Sequence, residues 1–189
     1  EERLHLFDTA RRLFMWDGYD EVGIDHFARK DDSMAVAARD GTLRRNFQGY
    51  TVDTGVALVG LGASAISRFP QGYAQNRPGT GDFAKAVEAG SFGTKRGHAF
   101  TDEDHIRGRL IEQLMCRFAT DRVELQRDYG ASPAMLDALF SQAEAEFGAY
   151  VRRVPGGLEI PHEGRPLTRM IARLFDAYEL DRAGHSPAI

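Results

Sequence analysis

Arg45-Asn46-Phe47-Gln48-Gly49-Tyr50 and Gly60-Leu61-Gly62-Ala63-Ser64-Ala65-Ile66-Ser67 are the two stretches on which the reading of this chain turns. The second fits the pattern G-x-G-x-x-A after an apolar run, which on its face is a dinucleotide fingerprint. The fit is superficial. A pyrophosphate would need a helix N-terminus there, yet only Ile66-Ser67-Arg68-Phe69 precede Pro70. Asp82 stands at the distance of a ribose-binding acid, but it follows a Gly/Pro loop and not a second strand. The better reading is that Gly60 and Gly62 let backbone pack closely, or approach a ligand, at a strand end. In the first stretch Phe47 offers a stacking face and Gln48 an amide that donates and accepts. That pair suits an adenine or a ribose, and equally an ordinary turn.

Outward from these motifs, composition narrows the classes. The chain has 189 residues, 42% hydrophobic and 28% charged, which is ordinary for a folded globular protein able to bury a core. A net charge of −4 argues against nucleic-acid binding by broad phosphate neutralisation. No apolar run approaches the ~18 residues that span a bilayer, so no membrane partner is expected. The one cysteine, Cys116, makes neither an internal disulfide nor a zinc framework, and suits a reducing cytoplasm. Glu1-Glu2-Arg3 opens directly into a helical pattern, as an excised fragment would.

Periodicity places a helix over 3–17, with Leu4, Phe7, Ala10 and Phe14 on one stripe widened by Leu6 and Leu13. Tyr19–Ile24 reads as a strand, and Asp31 or Asp32 caps a helix over Ser33–Asp40. Tyr50–Val52 and Val56–Leu61 read as strands. The Gly/Pro-rich residues 71–79 are the expected linker between a domain over 1–70 and another over 80–189. Beyond it come helices at Asp82–Ala89, at 101–118 with a Thr101 cap, at Val123–Tyr129, and from Ser132-Pro133 to Phe147. A hairpin follows around Pro155-Gly156-Gly157, then a last helix over about 165–182. Three helices and a hairpin are the ingredients of a winged helix. The would-be recognition helix carries Asp137, Glu144 and Glu146 and no Lys or Arg, so it reads as a lid or docking element.

Asp25-His26-Phe27 follows a strand, where a histidine binds a carboxylate or moves a proton, although a lone histidine there is more often structural. Arg29, Arg44 and Arg45 offer forked donors to an anion; a solvated basic face is the plain alternative. Cys116, beside Leu114 and Met115, reads as a buried thiol and not a nucleophile.

Taken together, Gly23-Ile24-Asp25-His26-Phe27-Ala28, Asp31-Asp32, Arg45–Tyr50, Gly60–Ser67 and Tyr73-Ala74-Gln75-Asn76 resemble, in order and spacing, the oxygen-independent coproporphyrinogen III oxidases. Later echoes are Arg96-Gly97, Arg107, Gly164-Arg165 and Phe175-Asp176, so the resemblance covers essentially the whole chain. The related heme-chaperone group tends to carry Asn-x-x-Tyr-Trp and Gly-Ala-His-Ser in these places. Ile24, Lys30 and Pro166 depart mildly from the usual pattern.

The resemblance implies a fold of α/β plus α class: the last elements of a radical SAM partial (β/α) barrel, then a mostly helical, winged-helix-like C-terminal domain. It implies an oxidoreductase that decarboxylates two propionates of coproporphyrinogen III to give protoporphyrinogen IX in heme biosynthesis. The family uses a reduced 4Fe–4S iron–sulfur cluster, supplied by an electron donor, and two S-adenosylmethionine molecules, whose deoxyadenosyl radical abstracts a propionate hydrogen. It places Gln48, with Phe47 beside it, at one S-adenosylmethionine and Ile66 at the other. His26, Arg29, Arg44 and Arg45 are the expected propionate-facing charges, and the intact enzyme is expected to be a monomer. The cluster's Cys-x-x-x-Cys-x-x-Cys motif is not in this chain, so the chain alone is expected to bind no metal and to be inactive. The competing expectation is a free-standing binding module, heme-related or winged-helix.

Overall fold

The computed structural model describes residues 2–178. Two compact units divide the chain. The first joins the residues up to Val52 with those from Ile106 onward, and the second is the continuous stretch Asp53–His105. The expected division at 71–79 differs from this, because those residues contain a strand (Gly72–Asn76) instead of forming a linker.

In the first unit, α1 (Glu2–Trp16) leads into the hairpin of β1 (Tyr19–Val22) and β2 (His26–Arg29), paired from Tyr19↔Arg29 to Val22↔His26. The helix meets this hairpin through rings: Phe27 stacks on Phe14 at 4.8 Å and tilts against Phe7 at 6.5 Å. The stripe is narrower than expected, since Leu6 and Leu13 face solvent. Arg11 of α1 is ion-paired to Glu21 of β1, and Arg39 to Asp20. The short helix α2 (Ser33–Arg39) is capped by Asp32, whose carboxylate accepts from Met34 N at 2.8 Å. A second hairpin, β3 (Arg44–Asn46) and β4 (Gly49–Thr51), then closes around a two-residue tip.

The larger core lies among α4 (Asp102–Arg117), α5 (Arg122–Tyr129), α6 (Pro133–Phe147), the hairpin of β8 (Arg152–Val154) and β9 (Gly157–Glu159), and α7 (Thr168–Leu174). Leu110, Leu114, Leu125, Leu136, Phe140, Leu158, Ile171 and Phe175 are its buried members. Ser132 caps α6 with Pro133 in its first turn, and Gly130 ends α5 in the left-handed conformation, both as the sequence predicts. The acids of α6 are not a bare negative face. Asp137 takes Arg122 (2.7 Å) and Arg153 (3.1 Å), and Glu144 takes Arg153 (2.8 Å). The final helix is shorter than expected, being preceded by a 3-10 turn at His162–Leu167; the expected residues beyond 178 lie outside the described residues.

The second unit is built differently. Its strands β5 (Ile66–Phe69), β6 (Gly72–Asn76) and β7 (Thr94–Ala99) form one antiparallel sheet in that order, and α3 (Thr80–Glu88) lies between β6 and β7 in sequence. Among its described residues no apolar side chain is fully buried. Its strands are joined by the β5–β6–β7 ladder, and Tyr73 lies edge-on to Phe100 at 4.6 Å. Val56–Leu61, read as a strand, makes only the Leu58↔Arg68 bridge and leaves Val56, Val59 and Leu61 exposed. All strand pairings among the described residues are antiparallel, so the expected barrel elements over 1–70 take the form of hairpins. No described helix is long and apolar enough to cross a membrane.

Candidate functional site

In the first unit the β3–β4 register sets Asn46 opposite Gly49, leaving Phe47-Gln48 as the whole tip of the hairpin. Asn46 fixes that tip by folding its side chain over it: Oδ1 accepts from Gln48 N at 2.8 Å. Both tip residues project outward, Phe47 half exposed and Gln48 exposed. A held backbone presenting a ring and a free amide is chemically suited to a flat heteroaromatic ligand.

Tyr50, next along β4, ties this hairpin to its surroundings. Its hydroxyl accepts from Ile24 N at 2.9 Å and donates to Met115 O of α4 at 3.0 Å. Burial pushes its phenol up to about 12, so it remains a neutral donor. The ring also lies edge-on to His26, with centroids 5.0 Å apart. Tyr50 fills the space that Gly23 leaves, since a Cβ at Gly23 would lie 2.0 Å from Tyr50 Cζ.

The four cationic candidates do not share one role. Arg44 Nε lies 3.1 Å from Glu112 Oε1, and Glu112 also takes Arg109 at 2.7 Å. Arg109 continues to Glu124 (2.5 Å), which Arg117 joins at 3.2 Å. Arg44 thus belongs to a half-buried charge network. Its neighbour Arg45 points to the opposite face of β3 and is exposed, while its backbone N donates to Glu112 at 3.1 Å. Arg29 is exposed, with no ion pair among the described residues, and alternation along β2 puts it on the face opposite His26. His26 lies beside the hairpin tip, a Cβ at Gly49 being 4.0 Å from its Nε2.

In the second unit, Ile66 begins the edge strand β5 and is half-buried. The glycine loop before it packs against its backbone: a Cβ at Gly60 would lie 2.7 Å from Ile66 O, which excludes any side chain there. Gly60 N donates to Ser67 Oγ at 3.0 Å, and Asn76 Nδ2 to Gly62 O at 2.9 Å. Gln75 Nε2 donates to Ser64 O at 3.1 Å, while its own Oε1 accepts from Arg96 at 2.7 Å. Gln75 and Asn76 are therefore the clamps of the loop. Both stand in the Tyr73-Ala74-Gln75-Asn76 motif, which by itself assigns them no role. Their amide side chains beside a glycine loop were the signal.

Cys116 packs with Val22, Ala28 and Leu43, and burial pushes its thiol up to about 12. Among the described residues no group of three or more His, Cys, Asp and Glu side chains could hold a metal ion. The single cysteine of the sequence cannot supply the several thiolates that an iron–sulfur cluster needs.

No protein-family profile matches the sequence. It is 56% identical over 187 residues to the oxygen-independent coproporphyrinogen III oxidase of Paracoccus denitrificans, covering 99% of this chain and 42% of that protein. The Escherichia coli protein of the same name is 35% identical over 185 residues, covering 97% and 40%. Among solved structures, Escherichia coli coproporphyrinogen III oxidase (HemN), described as a radical SAM enzyme, matches with a TM-score of 0.86 and 34% identity. That match covers 93% of this chain and 41% of the other. The chain spans about two fifths of the length of the curated relatives it matches. Over the part it spans, this chain is similar in both sequence and fold to the oxygen-independent coproporphyrinogen III oxidases.

Proposed function

We propose that this chain is the portion of a radical SAM coproporphyrinogen III oxidase that helps hold S-adenosylmethionine and substrate during propionate decarboxylation in heme biosynthesis. The observation that carries this reading is its 56% identity, across almost its whole length, to a relative of that name. When bound, S-adenosylmethionine supplies the oxidising radical chemistry. The Phe47 ring stacks on a flat ligand face, and the Gln48 amide hydrogen-bonds its edge. Ile66 gives apolar contact to a second such ligand, on a strand end fixed by Gly60 and Asn76. Arg29 and Arg45, exposed and outside the charge network, are the guanidinium groups for propionates. Arg44, ion-paired to Glu112, is not among them. The acidic α6, braced by Arg122 and Arg153, acts as part of a covering domain and not as a DNA reader.

In an intact enzyme carrying this segment, Gln48→Ala is expected to raise the KM for S-adenosylmethionine about tenfold, the loss of one well-placed hydrogen bond. An unchanged KM would remove Gln48 from the site. Lack of coproporphyrinogen consumption by the unsubstituted intact enzyme would sink the reading itself.

The chain by itself is expected to acquire no iron–sulfur absorption when iron and sulfide are added anaerobically. Its thiol should also resist alkylation at about pH 8, well below the Cys116 value of about 12, until the protein is unfolded. A cluster spectrum, or fast labelling of the folded chain, would contradict this.

A further inference from the structure

The turn from β1 to β2 carries a relay of charged groups that the reading above leaves without work. Arg169 of α7 is ion-paired to Asp25 Oδ2, and Asp25 Oδ1 lies 2.7 Å from His26 Nδ1. Each carboxylate oxygen thus has its own partner. A carboxylate only accepts, so Nδ1 is the nitrogen that carries the proton. In the neutral ring Nε2 is then left with a bare lone pair.

That lone pair is placed with some care. Tyr50, edge-on at 86°, fixes the plane of the imidazole, and Tyr50 is itself pinned by Ile24 N and Met115 O. Nε2 points to the Gly49 side of the hairpin whose tip is Phe47-Gln48, and it accepts no hydrogen bond among the described residues. The ring is about half exposed, so a ligand can reach it. An idle surface histidine needs no orienting acid, still less a cation to orient the acid.

We propose that His26 accepts a hydrogen bond at Nε2 from an N–H of the ligand at the hairpin tip, with Asp25 and Arg169 as positioning residues. Asp25 selects the tautomer and Arg169 holds Asp25. The proposal rests on the reading of the tip as a ligand site and deepens it. It also changes the chemistry expected of His26: a neutral acceptor recognises a pyrrole N–H or an adenine amino group, and not a propionate.

Nitrogen-15 NMR of the labelled chain tests the tautomer, with the His26 ring signals identified by their loss in His26→Gln. In the neutral ring, Nδ1 should be protonated and Nε2 bare. Asp25→Ala should move the ring toward the Nε2-protonated form. Arg169→Ala should do so partially, and Arg169→Lys should restore the original state. In an intact enzyme carrying this segment, Asp25→Ala should raise one KM about tenfold with kcat within twofold. A raised KM for coproporphyrinogen identifies the donor as pyrrole, and one for S-adenosylmethionine identifies it as adenine. A protonated Nε2 in the unsubstituted chain, an unmoved tautomer in Asp25→Ala, or two unchanged KM values in an active enzyme each overturn the proposal. An unsubstituted intact enzyme that consumes no coproporphyrinogen overturns the underlying function as well.

Discussion

Gly23→Ala is expected to cost the first unit about 4 kcal/mol, lowering its melting midpoint by roughly 10 °C. Gly23 has φ +62, a region that alanine enters at a cost of about 1–2 kcal/mol. The larger part comes from overlap. A Cβ there would lie 2.0, 2.2 and 2.5 Å from Tyr50 Cζ, Oη and Cε1, so the ring must leave. With it go the hydrogen bonds from Ile24 N and to Met115 O, each worth about 1 kcal/mol. Near-ultraviolet circular dichroism on heating reads the loss. A second measurement isolates the cause: in a Tyr50→Ala background the same glycine change should cost only the backbone strain. Equal costs in both backgrounds would show that the ring overlap is not responsible.

Removing the carboxylate at the centre of the charge network should have the next largest effect. Glu112→Ala is expected to cost about 3 kcal/mol, the usual loss when one member of a desolvated ion pair is deleted. Glu112 and Arg109 side chains are only 11% and 10% exposed, and Glu112 also accepts the Arg45 backbone N–H. Glu112→Gln keeps an acceptor for that N–H and should cost clearly less; equal losses would argue that charge is not what matters. The same network sets an acid limit. Burial works against the Glu124 carboxylate, but hydrogen bonds and charge from Arg109 and Arg117 outweigh it and hold its carboxyl below the ordinary range. A group whose folded pKa is depressed stabilises the fold above its unfolded value of about 4.5. That contribution is lost as pH falls through the lower folded value. Melting midpoints taken downward from about pH 7 should therefore fall most steeply below about pH 4.5, and a flat acid limb would count against the network.

What the sequence disclosed, and what it hid, follows from how local each feature is. Helix ends were legible because their causes sit within a turn: Asp32 before α2, Ser132-Pro133 before α6 and Gly130 after α5. The strands of the second unit were not. Thr94–Ala99 is exposed along its whole length, so it has no alternation for a reader to find. Val56–Leu61 has the apolar composition of a strand but leaves three of its large side chains in solvent. Gly72 reads from sequence as part of a linker, whereas it lies within the sheet. A Cβ there would lie 2.0 Å from His98 O, so glycine is what lets β6 and β7 approach. At the candidate site the motif residues could be picked out, but not their partners. Glu112 lies 67 residues from Arg45, and Arg169 lies 144 from Asp25. Charge pairing over such separations leaves no periodic trace. That is why Arg44 reads as an anion-binding candidate, though it is half committed to an ion pair.

The interrupted layout of the first unit also bears on how the protein comes into being. A ribosome releases α1, both hairpins and α2 well before the helix that Tyr50 binds, because Met115 follows 65 residues later. At about 5–20 residues per second that is a wait of roughly 3 to 13 seconds. Throughout it, the cluster of Val22, Ala28, Ala35, Ala37 and Leu43 lacks Cys116 of α4, which completes it. The segment from α1 to β4 is therefore one for which chaperone capture is useful during synthesis, and slowing translation between Val52 and Ile106 should lower the soluble yield.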